Sequence, residues 1–507
     1  MRANRREPAA RWALGTWEAL ATAVVCTTLG ACAVQPPYVP PTLDDHGVWA
    51  NQPAFAPGQL PPEEKWWAAL GDPVLDGLID AAFASSPSVA LAAAHLDEAR
   101  AILGLNTAQS RPQVSFNASA ERARVQSGGG GIGGGGGNTM VGSELTGGPT
   151  LAWEIDLFGR LRQTQSAASS RLTARTADAA AARLLLAAQV AGAVTSLRAC
   201  RVVLSVRRFD IESQQRDLVL TRQRVALGFA PPVDESRALS SLADAQTSLV
   251  AQDETCVQDL DALVELTGLT AADVAARLGA VRATGAAVGT ATGGQGDRPF
   301  AFPKVPQATL ALPASVLAQH PAVIAAEREV AATYAEIGVA RANRLPVFNL
   351  TAALTGNWIS ASGSTVSYLA WSLIPAVSGP IFDAGAGAAS VDAASARYLA
   401  ALASLRETVR TTTQDIENAL SAQAHARERL AAAARARDAA QATLEATESQ
   451  WRAGAVSLFQ LEDTRRQREA ADETAVDAAR ASVQAWVDVV RASGNAATFT
   501  AMPSQPD

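Results

Sequence analysis

Two internal cysteines carry the sharpest covalent chemistry in this 507-residue chain. Cys200 and Cys256 flank Gly228 symmetrically. If Gly228 turns an antiparallel helical hairpin, the two thiols lie at equal height. Cys200 follows the core position Leu197 by three residues, and Cys256 continues the series Leu242, Leu249, Cys256, Leu263. Both then face the hairpin seam. In an oxidising compartment this placement predicts a Cys200–Cys256 disulfide. The alternative is two reduced thiols buried as small apolar residues. Ala426 and Ser482 hold the corresponding positions in the second half, so no second bridge is expected there.

Other reactive groupings are missing. His46, His95, His320 and His425 lie far apart and lack ligand spacing, which argues against a His metal site. The run Gly128–Gly137 contains GxGxxG, but no Gly-Lys-Ser/Thr follows it, so a nucleotide site is not expected. No Ser/His/Asp set or carboxylate pair has catalytic spacing, and the chain reads as a non-enzyme. With 42 Lys+Arg against 49 Asp+Glu, the net charge is −7, which speaks against nucleic acid as the main partner.

A third cysteine, Cys32, belongs to the N-terminus. Arg2, Arg5, Arg6 and Arg11 precede an apolar stretch from Leu20 to Leu29, which ends in Leu29-Gly30-Ala31-Cys32. A basic start, a short apolar core and small residues before a cut read as a signal peptide, residues 1–31. The last four residues resemble a bacterial lipobox. That resemblance makes Cys32 the first mature residue, its thiol thioether-linked to diacylglycerol, and this lipid is the only non-protein group expected. An ordinary signal with an accidental cysteine is the alternative. Ala33, where an Asp would favour inner-membrane retention, points to the outer membrane by resemblance to enterobacterial sorting. No later run reaches ~18 consecutive apolar residues. Any membrane span must therefore be a β-barrel.

The remaining chain is written twice. Ser86-Pro87-Ser88-Val89 answers to His320-Pro321-Ala322-Val323, and Arg111-Pro112-Gln113-Val114 to Leu345-Pro346-Val347-Phe348 at the same offset. Ile155-Asp156-Leu157-Phe158-Gly159 is echoed by Ile381-Phe382-Asp383-Ala384-Gly385, and Leu227-Gly228-Phe229-Ala230 by Ala453-Gly454-Ala455-Val456. Residues 32–84 read as an N-terminal extension, 85–280 as the first repeat, 281–310 as a linker, 311–493 as the second repeat and 494–507 as a tail. Each repeat has one order: helix, β-hairpin (113–156 and 347–382), long helix (160–227 and 386–453), tight turn, helix (233–268 and 458–492).

Periodicity supports those elements. Val114, Phe116, Ala118 and Ala120 alternate with polar residues, and Phe348, Leu350, Ala352 and Leu354 alternate with Asn349, Thr351 and the small Ala353, which is the period of a strand with one apolar face. The return strands pass through Leu151, Trp153 and Ile155, and through Tyr368, Trp371 and Leu373. The long segments contain no proline, and at 1.5 Å per residue each spans ~100 Å. Val190, Leu197, Leu204, Ile211, Leu218 and Val225 recur every seventh residue, as do Leu402, Val409, Ile416, Leu430, Leu444 and Trp451 with two gaps. A sustained heptad means supercoiled helices packed side by side. Four strands per chain are too few for a membrane barrel, whose minimum is ~8, so spanning requires an oligomer. A non-pore periplasmic coiled-coil lipoprotein is the alternative of a different class.

Several motifs together carry a family resemblance. Lys65-Trp66-Trp67-Ala68-Ala69-Leu70-Gly71-Asp72-Pro73, the lipobox, Trp153-Glu154-Ile155-Asp156-Leu157-Phe158-Gly159-Arg160 and Leu312-Pro313-Ala314-Ser315 with Pro321 span nearly the whole mature chain. They resemble the TolC-like outer-membrane factors of tripartite efflux pumps, in the OprM-like lipoprotein branch. One departure is His320-Pro321-Ala322, where that branch usually has Arg-Pro-Asp.

The resemblance implies a mainly α fold with membrane β. A homotrimer forms a 12-stranded barrel, four strands per chain, continued by a long α-helical barrel. It implies a passive exit duct for small molecules, anchored in outer-membrane lipid. Its partners are a periplasmic adaptor protein and an inner-membrane resistance-nodulation-division pump. The outer-membrane duct of type I protein secretion shares the architecture and is the alternative within it. Gly228, Gly454 and Ser457 mark the tip turns where such proteins dock on the adaptor. Acids often stand at the sixth and ninth positions after the tip glycine. These positions are Asp234 and Arg237 in the first half, and Gln460 and Asp463 in the second. With Glu462 they are the gate candidates, since a ring of carboxylates at a constriction attracts cations and repels itself. The alternative is that Glu462 and Asp463 are the solvated first turn of a helix.

Overall fold

The computed structural model describes residues 35–42, 47–51, 65–126, 139–284, 302, 305, 310, 313–361 and 364–494. The signal segment, Cys32, the Gly128–Gly137 run, most of the 281–310 linker and the tail beyond Gly494 lie outside them. The chain divides into two compact units. One comprises the chain to Pro41, Leu96–Ala174 and Ala326–Leu405; the other comprises Thr42–His95, Arg175–Ala325 and Arg406–Asp507.

Element order repeats as the duplication requires. A short 3-10 turn, Trp66–Leu70, precedes α1 (Pro73–Ser85) and α2 (Pro87–Gln109). Strands β1 (Gln113–Gln126) and β2 (Thr139–Ile155) lead into α3 (Arg160–Ala226), α4 (Pro232–Thr267) and α5 (Ala271–Thr284). The second half runs α6 (Pro313–Gln319), α7 (Pro321–Ala342), β3 (Val347–Ala361), β4 (Ser364–Ser378), α8 (Ala386–Arg452) and α9 (Leu458–Ala492).

Several boundaries differ from expectation, for local reasons. The 32–84 extension contains α1, capped by Asp72, whose carboxylate accepts from the Val74 amide at 3.2 Å, with Pro73 at the first helical position. Helix α5 was not expected, and it enters the 281–310 linker. Thr270 opens it, accepting from the Asp273 amide at 3.2 Å and donating to the Asp273 carboxylate at 2.7 Å. Strand β4 ends at Ser378, short of residue 382. Gly379 there lies close against Pro346, and Pro380 offers no ladder donor.

The first unit is built on a four-stranded antiparallel sheet in the order β1-β2-β3-β4. The two hairpins are joined by the β2–β3 ladder, with Ile155 opposite Phe348 and Leu145 opposite Trp358. The ladder joins two hairpins, neither of which is stable in isolation, into one sheet. Gly148 is required by close approach: a Cβ there would overlap the Leu354 carbonyl. Beside the sheet, Arg171 links α3 to α7 through Glu336 at 2.6 Å and Glu329 at 3.3 Å. Tyr334 stacks between Tyr38 and Tyr398 at 5.6 Å and 5.5 Å.

The second unit has its own core. Trp66, Trp67, Leu75, Leu78, Ile79, Leu263 and Trp486 are buried, and Trp66 lies 5.7 Å from Trp486. Arg198 and Asp72 pair at 2.5 Å at its margin. The heptad residues Val190, Leu197, Leu204, Ile211 and Leu218 of α3 are buried. In α8, Val409 and Ile416 are buried, and so is Gln423 at the expected gap. His320 explains its own departure: its Nδ1 accepts from the Ala322 amide at 3.2 Å, so it caps α7. Burial lowers its pKa.

Candidate functional site

The sheet has two chemically distinct faces. Val114, Phe116, Leu145, Leu151, Trp153, Phe348, Leu350, Leu354, Trp358, Leu369, Trp371 and Leu373 share one face by register. Trp371 is 79% exposed and Phe116 is 73% exposed, so among the described residues much of this apolar face is left uncovered. From Phe348 to Trp358 the face extends about 33 Å along the strand, or about 25 Å if tilted by ~40°. The other face carries Ser115, Asn117, Ser119, Thr146, Thr150, Asn349, Thr351, Thr355 and Asn357. There Ser119 and Thr146 hydroxyls bond at 2.7 Å, and the Asn117 amide donates to the Thr150 hydroxyl at 3.3 Å. Tyr368 of the return strand is opposite Asn357 and sits on this polar face, whereas Trp371 and Leu373 share the apolar one.

Carboxylates control the junctions from strand to helix. Arg160 grips Glu154 at 3.0 Å and 2.6 Å, and Asp156 accepts from the Arg162 amide at 2.9 Å. In the second half Asp383 accepts from the amides of Gly387 at 2.8 Å and Gly385 at 3.0 Å. Those amide donors hold the Asp383 carboxyl below the usual range.

At the far ends of the long helices the two tip turns are built alike. Gly228 and Gly454 have φ of +77° and +74°. The Phe229 amide donates to the Arg224 carbonyl and the Ala455 amide to the Gln450 carbonyl, at 2.8 Å and 2.9 Å. These are left-handed helix ends in which glycine avoids the Cβ penalty. Pro232 then starts α4, while Ser457 caps α9 by accepting from the Gln460 amide at 3.2 Å. Leu227, Phe229 and Phe459 are exposed beside these turns.

The gate candidates separate by partner. Asp234 and Arg237 pair along α4 at 3.6 Å. Asp463 meets Arg466 at 3.3 Å and the Gln467 amide at 2.9 Å along α9. Gln460 is exposed and contributes its backbone to the cap. Glu462 differs, because its partners cross helices. Arg465 bonds Glu462 at 2.8 Å, pairs with Asp217 of α3 and lies 3.9 Å from Glu448 of α8. One heptad along, Asp210 accepts from Gln214 at 2.5 Å. There Arg207 holds Glu473 at 2.5 Å and 3.1 Å and donates to the Ser248 carbonyl of α4 at 2.7 Å.

Two carboxyl pairs, Asp217–Glu462 and Asp210–Glu469, thus stand one heptad apart on the α3–α9 seam. Burial, then the hydrogen bond and charge of Asp217, push Glu462 up to about 8, against the opposing pull of Arg465. Burial, then the charges of Asp210 and Glu473, push Glu469 up to about 8. Asp210 is raised by burial too. Counting acids outward from the tip glycines finds Glu462 and misses Asp210, Asp217, Arg465 and Glu469. The available signal was their seven-residue spacing beside the core positions Ile211 and Leu218.

The Cys200–Cys256 disulfide joins α3 to α4 with Cα atoms 5.5 Å apart. Both cysteines are buried, and the Gln252 side-chain amide lies 3.0 Å from Cys200 Sγ.

Residues 78–269 and 312–495 match the family described as outer membrane efflux protein. The chain is 27% identical to outer membrane protein OprJ of Pseudomonas aeruginosa over 400 residues, 79% of each chain. It is 26% identical over 422 residues, 81% of each, to the probable efflux pump outer membrane protein TtgC of Pseudomonas putida. Among solved structures, the outer-membrane channel OprN superposes with a TM-score of 0.76 at 24% identity, covering 91% of this chain and 98% of that one. The Campylobacter jejuni CmeC outer membrane channel does so with a TM-score of 0.78 at 20% identity, covering 92% and 96%.

Proposed function

The chain belongs to the outer membrane efflux protein family and is an outer-membrane efflux channel, and from that premise we propose how its parts carry the work. Three copies assemble, each giving four strands to one barrel. The observation that carries this is the sheet: an apolar band on one face, a hydrogen-bonding polar face on the other, and β1 and β4 at its two ends. Sheet edges left open cannot face hydrocarbon, so each β1 must meet a β4 of another copy. The polar face lines the passage. Cys32 carries the covalent lipid and tethers the chain in the outer membrane.

The tip turns at Gly228, Gly454 and Ser457, with exposed Phe229 and Phe459, offer a docking surface for a periplasmic adaptor. Through it the duct serves an inner-membrane resistance-nodulation-division pump. Conduction itself is passive and no chemical step is catalysed. The Asp217–Glu462 pair bridged by Arg465, and the Arg207–Glu473 ion pair beside Asp210–Glu469, hold α3 and α9 beside one another in the closed arrangement. Asp234, Arg237, Gln460 and Asp463 stand at the helix starts, where a ring of charges would meet the passage. The test of assembly is the mass of the detergent-solubilised full chain. Three copies are expected; a stable monomer or dimer would overturn the barrel.

A further inference from the structure

Charge is segregated completely across the described sheet residues. On the apolar face the only charged residues are Arg122 and Arg124, two adjacent outward positions near the hairpin end of β1. Glu121, Glu144 and Glu154, the acids of these strands, all lie on the polar face. No carboxylate shares the face of the two arginines, and both are exposed.

Their level along the sheet is defined by register. Ala120, Leu145 and Trp358 form one row, the last in which three neighbouring strands all present apolar residues before the hairpin ends. Arg122 lies in the next outward-facing row with Ser143 and Ser360, and Arg124 faces outward one step further, opposite Val141. At ~3.3 Å per residue these are about 7 Å and 13 Å past the Trp358 row. An aromatic ring marks the boundary of a barrel's hydrocarbon band, and the polar headgroup layer begins just beyond it. The helices leave the sheet at its other end, so the arginines sit at the outer leaflet.

We propose that Arg122 and Arg124 bind the phosphate groups of phosphorylated glycolipid in the outer leaflet. The inference rests on the barrel reading above. A guanidinium presents a fork of donors that matches a phosphate, and two forks on alternate residues of one strand point the same way. Longer arginine stems can lie along Ala120 and the neighbouring apolar surface while their heads reach the phosphate layer. With Glu121 and Glu144 kept on the opposite face, the anionic lipid meets only positive charge at this height.

The test uses the full-length protein in detergent, with lipid retention read by native mass spectrometry. Diphosphorylated lipid A, its dephosphorylated form and inorganic phosphate are the probes. Wild type should retain the diphosphorylated lipid and lose about tenfold in retention for Arg122→Ser/Arg124→Ser, the scale of losing charge-assisted contacts. Arg122→Lys/Arg124→Lys should keep part of it, and Glu121→Gln should keep all. Equal retention by the double serine variant, or of the dephosphorylated lipid by wild type, would overturn the proposal. So would full displacement by inorganic phosphate at millimolar level, which would make the site one for free anion. Heat-modifiable migration of each variant reports the barrel separately, so loss of the barrel and loss of the lipid site are distinguished.

Discussion

At Glu462 a carboxyl pushed up to about 8 stands between Asp217 and Arg465, and the sign of its pH effect follows. Its ordinary value is 4.5. Below that, folded and unfolded chains both hold the proton. Between about 4.5 and 8 the folded chain holds it and the unfolded chain does not, so this contribution to stability is lost as pH rises through that window. Glu469 acts in the same direction. Burial of neutral His320 works the opposite way, adding stability as pH rises toward 6.5. Glu462→Gln should therefore flatten the fall in Tm between about pH 4.5 and 8 and raise Tm at pH 8.5 by a few degrees. An unchanged slope in thermal melts would refute the assignment. The disulfide is tested more simply: in denatured, unreduced protein neither Cys200 nor Cys256 should react with a thiol reagent. Replacing both by serine should cost ~2–4 kcal/mol, seen as a lower unfolding midpoint of the α3–α4 hairpin.

Among elements, the sheet shows what the sequence disclosed and what it withheld. Alternation at Val114–Ala120 and Phe348–Leu354 made the strands and their apolar face legible, because a strand's period is a property of neighbours. The β2–β3 ladder was not legible, since pairing between hairpins far apart in the chain leaves no local mark. Tyr368 lies three residues from Trp371, so the strand's period puts it on the opposite, polar face, and its register with Asn357 agrees. Glu121 opposite Glu144 is visible only in the register. Like charges so placed weaken a ladder by ~0.2–1 kcal/mol. On the passage-lining face of three copies they should favour cations. Glu121→Gln/Glu144→Gln should lower the cation-to-anion permeability ratio by roughly a factor of two, measured as a reversal potential across a salt gradient. No change in that potential would remove these acids from the passage. The tip turns were legible because a left-handed helix end favours glycine, and both Gly228 and Gly454 carry that mark.

For the whole molecule, duplication places equivalent turns, junctions and seams in both halves, while the ties within them differ. The first-half hairpin is stapled by Cys200–Cys256; the equivalent second-half positions, Ala426 and Ser482, leave α8 and α9 without a covalent tie. Helix α9 is held to α3 by the pairs Arg465–Asp217 and Arg207–Glu473, and reaches α8 through Arg465, 3.9 Å from Glu448. Such pairs respond to proton and salt, and a disulfide does not. The second-half hairpin is accordingly the part expected to move when the duct opens. The most direct measurement is single-channel conductance of the purified full chain in a planar bilayer, compared with Arg465→Ser. A gated duct predicts small, mostly closed currents for the wild type and a several-fold larger conductance for the variant. A correctly assembled particle that passes no current in either form would contradict the account.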